Sequence, residues 1–414
     1  MTVEPIRHDA TCRLCGSSEI TTVFKLNPTP PEDGFVSIEN LHTLQDTYPL
    51  DLALCEHCGY LHLPYILNPE ISYADYFYVT KVTLGLSNHY QEYADRILGL
   101  VQPPKGSLVV DLGSNDGTML EPFKRRGMKV LGVEPAQAIA KAANEAGIPT
   151  VADFFMDSAV EKVIREYGKA SIVTANYVFA NIDDITSFTE NVAKILAPDG
   201  VFVVQTGYHP EQMKIKMFDY IYHEHFSYFT LKVMRDLFGK CGLELFDVEK
   251  TPVKGGSIRT VAQLVGGKRR ISPSVTEMIR EEETAGMEKQ QTYTIFAEEI
   301  NRRKGDVLSL VRKLKAKGNR IVGYGASHST TTLTYHFELG EYLEYIVDDN
   351  PLKHEMYSPG YHLPVYPSQK LYEDKPAYVM VLAWQYQNQI MNKNQQFLEQ
   401  GGRFIVPLPD LRLV

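Results

Sequence analysis

Short hydrophobic runs, each leading through a polar turn into an amphipathic stretch, recur along the middle of the chain at 108–112, 129–133, 170–175, 200–205, 243–248 and 258–265. Runs this short, apolar at nearly every position rather than at alternate ones, belong to strands covered on both faces. Helical spacing fills the gaps between the first five, so the pattern predicts a largely parallel, doubly wound α/β sheet. From about Ser274 to Lys317 charged residues dominate without a sustained heptad, which predicts two helices rather than a coiled coil. At Asn319 the strand–helix alternation restarts with Arg320-Ile321-Val322-Gly323-Tyr324-Gly325-Ala326-Ser327. The expected division is therefore 1–72, 73–268 and 269–414.

The turn after the first strand carries the strongest ligand signal. Val109-Val110-Asp111-Leu112-Gly113-Ser114-Asn115-Asp116-Gly117 runs from strand into a glycine turn, and a second strand ends on Glu134. Strand, turn, helix, strand and acid in this order describe a nucleotide-binding βαβ unit. A dinucleotide needs three close glycines to admit its pyrophosphate, but here only Gly113 and Gly117 are present, with acids at both shoulders. That pattern suits a cationic adenosyl ligand, S-adenosylmethionine. Asp111 and Asp116 would attract its positive groups, and Glu134 would accept hydrogen bonds from the ribose diol.

Composition narrows the class. The chain has 414 residues, a net charge of −9 and scattered basic residues, which argues against nucleic acid as a partner. Its apolar runs are too short to span a membrane, and Met1 to Arg7 lack a signal-peptide pattern, so a cytoplasmic location is expected. Four cysteines form two Cys-x-x-Cys pairs, Cys12 with Cys15 and Cys55 with Cys58. One pair would suffice for redox chemistry, whereas two pairs imply a shared tetrahedral zinc ion in a closed, structural site.

Two further stretches carry chemistry. Asp219 to Phe229 holds His223, His225, Asp219, Glu224, Tyr220, Tyr222 and Tyr228 just beyond a predicted central strand. This is the C-terminal edge of the sheet, where open α/β folds bind ligands, so Tyr222, Glu224 and His225 are expected to meet a substrate. The Gly323-Tyr324-Gly325 turn opens a helix with Thr330-Thr331-Thr332, and exposed amides with small hydroxyls beside them would cradle phosphate. Structural turn glycines would account for the same motif.

These motifs, together with Lys254-Gly255-Gly256-Ser257-Ile258-Arg259, occur in the order that is seen in nucleotide-sugar C-methyltransferases, and the chain resembles that family over its whole length. The resemblance implies a zinc domain, a central Rossmann-like class I methyltransferase domain and a C-terminal Rossmann-like α/β domain. It implies methylation of a carbon beside the ketone of a thymidine-diphosphate 4-keto deoxysugar. An enolate is required, with His225 as base, Glu224 orienting it, and Tyr222 and Tyr76 donating to the enolate oxygen. Tyr78, Asp111, Gly113, Asn115, Glu134, Asp153, Phe154 and Asn176 would hold the cofactor. Lys254, Arg259, Gly323, Tyr324 and Gly325 would hold the diphosphate or base. Three positions depart from the family pattern. Asn181 replaces a histidine and cannot relay a proton, Ser327-His328-Ser329-Thr330 replaces a segment with lysine and glycine, and Lys254 replaces a histidine. N- or O-methylation of another small metabolite and a catalytically inactive binding protein stand as alternatives.

Overall fold

The computed structural model describes residues 4–68, 71 and 86–414. Its centre is a seven-stranded sheet. In spatial order the strands are Leu243–Thr251, Ser257–Leu264, Leu196–Gly207, Ala170–Asn176, Leu108–Leu112, Lys129–Val133 and Thr150–Val151. The five from Leu196–Gly207 to Thr150–Val151 run parallel, and Ser257–Leu264 is antiparallel to both of its neighbours. The predicted doubly wound sheet is observed. Thr150–Val151 escaped the hydrophobic pattern because two residues leave no period to read.

Alternate residues of the central strands feed opposite cores. Val110, Leu112, Val173 and Val204 join one apolar cluster, while Val109, Ile172, Val201 and Val203 join another beneath the helix Leu86–Val101. Coverage on both faces explains why the strands read as unbroken apolar runs. The charged region is two helices, Pro273–Thr284 and Gln290–Ala316, as its missing heptad predicts.

The C-terminal sheet has six strands in the order Val365–Pro367, Ile346–Asp348, Ile321–Tyr324, Tyr378–Val381, Arg403–Val406 and Arg412–Leu413. The first five are parallel and the last is antiparallel. In the N-terminal region Ile20–Lys25, Asp51–Cys55 and Leu61–His62 form an antiparallel sheet, whose fourth strand, Ser227–Tyr228, comes from the chemistry-rich segment of the middle of the chain. A single apolar core joins these two sheets. It contains Phe24, Leu52 and Leu61 from the N-terminal sheet, Phe218, Ile221 and Phe226 from the inserted segment, and Phe296, Leu333 and Trp384 from the C-terminal part.

One close approach fixes the first turn against the second strand. A Cβ on Gly132 would lie 2.3 Å from Ser114 Oγ and 2.9 Å from Thr150 Oγ1, so the turn can fold over the strand only because Gly132 has no side chain. Gly132→Ala is expected to destabilise the protein by about 1–3 kcal/mol through overpacking. Urea unfolding should show a lower midpoint at an unchanged m-value.

Candidate active site at the junction of three sheets

The first turn is built by backbone conformations that few residues adopt. Gly113 and Gly117 have φ of +69° and +79°, and Asn115 is left-handed at +47°. The Glu134 carboxylate accepts the amide N–H groups of Asn115 and Ala136, both at 2.9 Å. Glu134 thus ties the end of the second strand to the turn after the first. Asp111 is buried and accepts from Thr174 at 2.6 Å and Asn176 at 3.3 Å. Burial pushes its carboxyl up to about 7 despite those bonds, so its attraction for a cation is weaker than an ionised acid would give. Asn176 Oδ1 and Ser114 Oγ are buried at this turn without a hydrogen-bond partner among the described residues. Orphaned polar atoms beside a left-handed turn fit a polar ligand such as S-adenosylmethionine. Asp153 and Phe154 are exposed just after the strand Thr150–Val151 on the same edge of the sheet. Tyr76 and Tyr78 lie outside the described residues.

The segment after Phe218–Tyr220 is held from three directions. Asp219 accepts the indole N–H of Trp384 at 2.8 Å, and the Thr332 hydroxyl donates to the Ile221 carbonyl at 2.8 Å. Arg13 donates to the Phe226 carbonyl at 2.7 Å, and Glu32 accepts the Glu224 amide at 2.9 Å. The His225 ring stacks on Tyr222 with centroids 4.0 Å apart, and its Nδ1 lies 3.1 Å from the Tyr220 carbonyl. A carbonyl can only accept, so Nδ1 carries the proton and Nε2 keeps a lone pair. Burial drives the imidazole down to about 4 and keeps it neutral. Burial, reinforced by the charges of Glu32 and Asp33, holds Glu224 well above the carboxylate range, and it likewise keeps the Tyr222 phenol protonated. One segment therefore offers an acceptor nitrogen beside two hydroxyl donors.

Residues from all parts of the chain close around it. His328, next to the second glycine turn, has its ring 6.1 Å from that of Tyr222 and its Nε2 3.6 Å from Asp33. Lys353 bonds Asp33 at 2.9 Å and the Ala326 carbonyl at 2.7 Å. Lys254, left-handed at φ +51°, sets its ammonium 4.1 Å from the centre of the Tyr177 ring. Its charge acts on Glu224, His225 and His328 alike. Glu32, Asp33 and Lys353 carried no signal in the sequence, where Thr29-Pro30-Pro31-Glu32-Asp33-Gly34 reads only as a polar turn. Asn181 ends the short turn Phe179–Asn181 directly after the strand Ala170–Asn176.

Two expected phosphate contacts are otherwise engaged. Arg259 bonds Gln205 at 2.9 Å, Glu249 at 2.6 Å and His89 at 3.2 Å, and its guanidinium lies 4.1 Å from the Tyr93 ring centre. Its donor nitrogens serve the central sheet and the helix Leu86–Val101 packed on it, which differs from the expected diphosphate contact. At Gly323-Tyr324-Gly325 the turn amide of Ala326 is taken by Asp348 at 2.6 Å, and that of Ser327 by the Thr330 hydroxyl at 3.2 Å. Thr331 and Thr332 donate instead to the Glu32 and Ile221 carbonyls. The glycines answer to packing, since Cβ atoms on Gly323 and Gly325 would lie 2.6 Å from Leu382 and 2.4 Å from Ala383. Tyr324 is buried and donates to Asp349 at 3.1 Å. The hydroxyl cradle expected at this helix start is thus a set of bolts between parts of the chain.

The four cysteine sulfurs lie within 4.8 Å of one another, with Cys12 Sγ 3.7 Å from Cys58 Sγ and Cys15 Sγ 3.6 Å from Cys55 Sγ. Thiolates about 2.3 Å from one tetrahedral ion sit about 3.8 Å apart, so the set fits a closed zinc site.

Family models match along the chain: a domain described as zinc binding over residues 12–73, a methyltransferase domain over 86–248 and a C-methyltransferase C-terminal domain over 252–409. C-methyltransferase NovU of Streptomyces niveus is 33% identical over 97% of this chain and 96% of its own length. A ubiquinone biosynthesis O-methyltransferase of Methylobacterium sp. (strain 4-46) is 31% identical over 25% of this chain and 43% of its own. The solved CcbJ methyltransferase from Streptomyces caelestis is 15% identical, with a TM-score of 0.34 over 42% of this chain and 89% of that one.

Atomic emission on the purified protein is expected to find one zinc per chain. Cys58→Ser should lose the ion and several kcal/mol of unfolding free energy, because a metal that binds only the folded site stabilises that fold. A metal-free protein of full stability would contradict the assignment.

Proposed function

Because this chain belongs to the C-methyltransferase family, we propose that it moves the methyl group of S-adenosylmethionine to a carbon beside the ketone of a nucleotide-diphosphate 4-keto-deoxysugar. The observation that carries this reading is the His225 imidazole, neutral and half-buried, with Nδ1–H anchored on the Tyr220 carbonyl. A carbon acid beside a ketone needs a base to become a nucleophile, and Nε2 of His225 keeps a lone pair on the half-buried imidazole of this segment, whereas His223 is fully buried. His225 takes the α proton, and Tyr222 and protonated Glu224 donate hydrogen bonds to the oxygen where the enolate charge collects. When bound, S-adenosylmethionine supplies an electrophilic methyl on a positively charged sulfur.

The cofactor reading is supported by the left-handed turn at Gly113 and Asn115, the unpartnered Asn176 Oδ1 and the acid at Glu134. Lys254 is the cation of this region that serves an anionic acceptor best, because its field already reaches Glu224, His225 and His328. With Arg259 engaged by Gln205, Glu249 and His89, and Lys353 by Asp33 and the Ala326 carbonyl, Lys254 takes over the charge expected at the diphosphate.

His225→Ala should lower kcat at least a hundredfold, the usual scale for a lost general base, while S-adenosylhomocysteine still binds by isothermal titration. Carbon NMR of the product should find the new methyl on a ring carbon, and a methyl on oxygen or nitrogen would refute the proposal. The pH dependence has a definite sign. A base must be unprotonated, and burial lowers His225 from 6.5 to about 4. Activity should therefore hold as the pH falls through 6.5 and decline only on approach to about 4, whereas an acid limb near 6.5 would place the working base elsewhere.

A further inference from the structure

We propose that Glu32, on the loop of the cysteine-bearing N-terminal region, is a positioning residue for methyl transfer: its carboxylate fixes the main chain at Glu224 and so the aim of Glu224 and His225 at the acceptor. The inference rests on reading Tyr222, Glu224 and His225 as the acceptor site.

The geometry is built rather than incidental. Glu32 is 2% exposed, yet it makes contacts to two different parts of the chain. One carboxylate oxygen accepts the Glu224 amide at 2.9 Å, and the other lies 3.6 Å from Nδ1 of the fully buried His223. Its own carbonyl accepts the Thr331 hydroxyl at 2.9 Å, which joins the loop to the helix His328–His336. The neighbouring Asp33 holds Lys353 and His328 on that side. A loop remote in sequence therefore grips the proposed base segment with one residue and the opposite wall with the next.

A neutral group could accept the Glu224 amide just as well, and the second carboxylate oxygen, 3.6 Å from His223 Nδ1, gives the acid a further role. Burial pushes the Glu32 carboxyl up, but His223 and the backbone amides outweigh it and keep the group ionised. That charge acts on both proposed catalytic groups: it raises the proton affinity of His225 and helps hold Glu224 protonated. The other groups facing His225 are Lys254 and His328, which oppose the effect, and the Tyr220 carbonyl, which supports it. Those facing Glu224 are Asp33, which reinforces Glu32, and Lys254, which opposes it. Glu32 thus sets both the orientation and the proton balance of the segment, and it links the N-terminal region to catalysis.

The test compares Glu32→Gln, which keeps an acceptor for the Glu224 amide but removes the charge, with Glu32→Ala, which removes both, in the full-length zinc-loaded protein. Glu32→Gln is expected to lower kcat roughly tenfold while leaving S-adenosylhomocysteine affinity and zinc content unchanged, and Glu32→Ala to lower kcat roughly a hundredfold, the scale of misaimed catalytic groups. The acid limb of kcat/KM should move to lower pH in Glu32→Gln, because the imidazolium of His225 loses a stabilising anion. A wild-type kcat and acid limb in Glu32→Gln would overturn the inference, as would a parallel loss of zinc, cofactor binding and cooperative melting, which marks a plain structural strut. His225→Ala serves as the control. If it is inactive while Glu32→Gln behaves as wild type, only the positioning role fails, and if it is active the underlying reading of the site fails as well.

Discussion

A polar group removed from water keeps only the partners that the fold supplies, and the segment from Phe218 to Phe229 meets that constraint by borrowing them from the N-terminal and C-terminal parts of the chain. Trp384 and Thr332 reach it from the C-terminal part, and Arg13 and Glu32 from the N-terminal loops. Its last residues, Ser227–Tyr228, complete the N-terminal sheet. The segment could not keep this conformation in an isolated central domain, because its carbonyls and amides would then lack their partners. The three sheets are tied together by a stretch of about a dozen residues that also bears the proposed chemistry.

The same exclusion of water sorts the titratable groups. Burial disfavours charge of either sign, so it empties the imidazole of its proton and fills the carboxyl of Glu224. A neutral base beside a neutral acid is what proton removal from a carbon acid and stabilisation of the resulting oxyanion would use. The ionised groups around them, Glu32, Asp33, Lys254 and Lys353, are each held against an opposite charge, an imidazole or an aromatic face. The fields of Glu32, Asp33 and Lys254 act on the inner pair, and Glu32 adds a hydrogen bond to the Glu224 amide.

Both α/β units use one device to shape their first turn. The acid that ends the second strand accepts a turn amide, Glu134 from Asn115 and Asp348 from Ala326. The two turns then differ. Around Asn115 the atoms Asn176 Oδ1 and Ser114 Oγ stay unpartnered among the described residues, whereas around Ala326 the hydroxyls of Thr330, Thr331 and Thr332 are all bonded within the chain. One turn is prepared for a ligand and the other is fastened to its neighbours.

The sequence by itself determined the elements and the pairs that act locally. The doubly wound sheet follows from apolar runs with a strand's length, the glycine turn from residues that tolerate positive φ, and the cysteine cluster from spacings that present two sulfurs to one ion. The crowding of Tyr222, Glu224 and His225 was legible for the same reason, since they are near neighbours in the chain. Only the tertiary structure decided what faces them. Glu32 and Asp33 lie nearly two hundred residues away in an unremarkable proline turn, and Arg259, for which the family resemblance implies an anion contact, is held by Gln205 and Glu249 of the sheet and by His89 of the helix Leu86–Val101. Local periodicity records which face of an element is buried, but it does not record which other element covers it, and that second fact sets the charge, the hydrogen bonds and the proton affinities of the site.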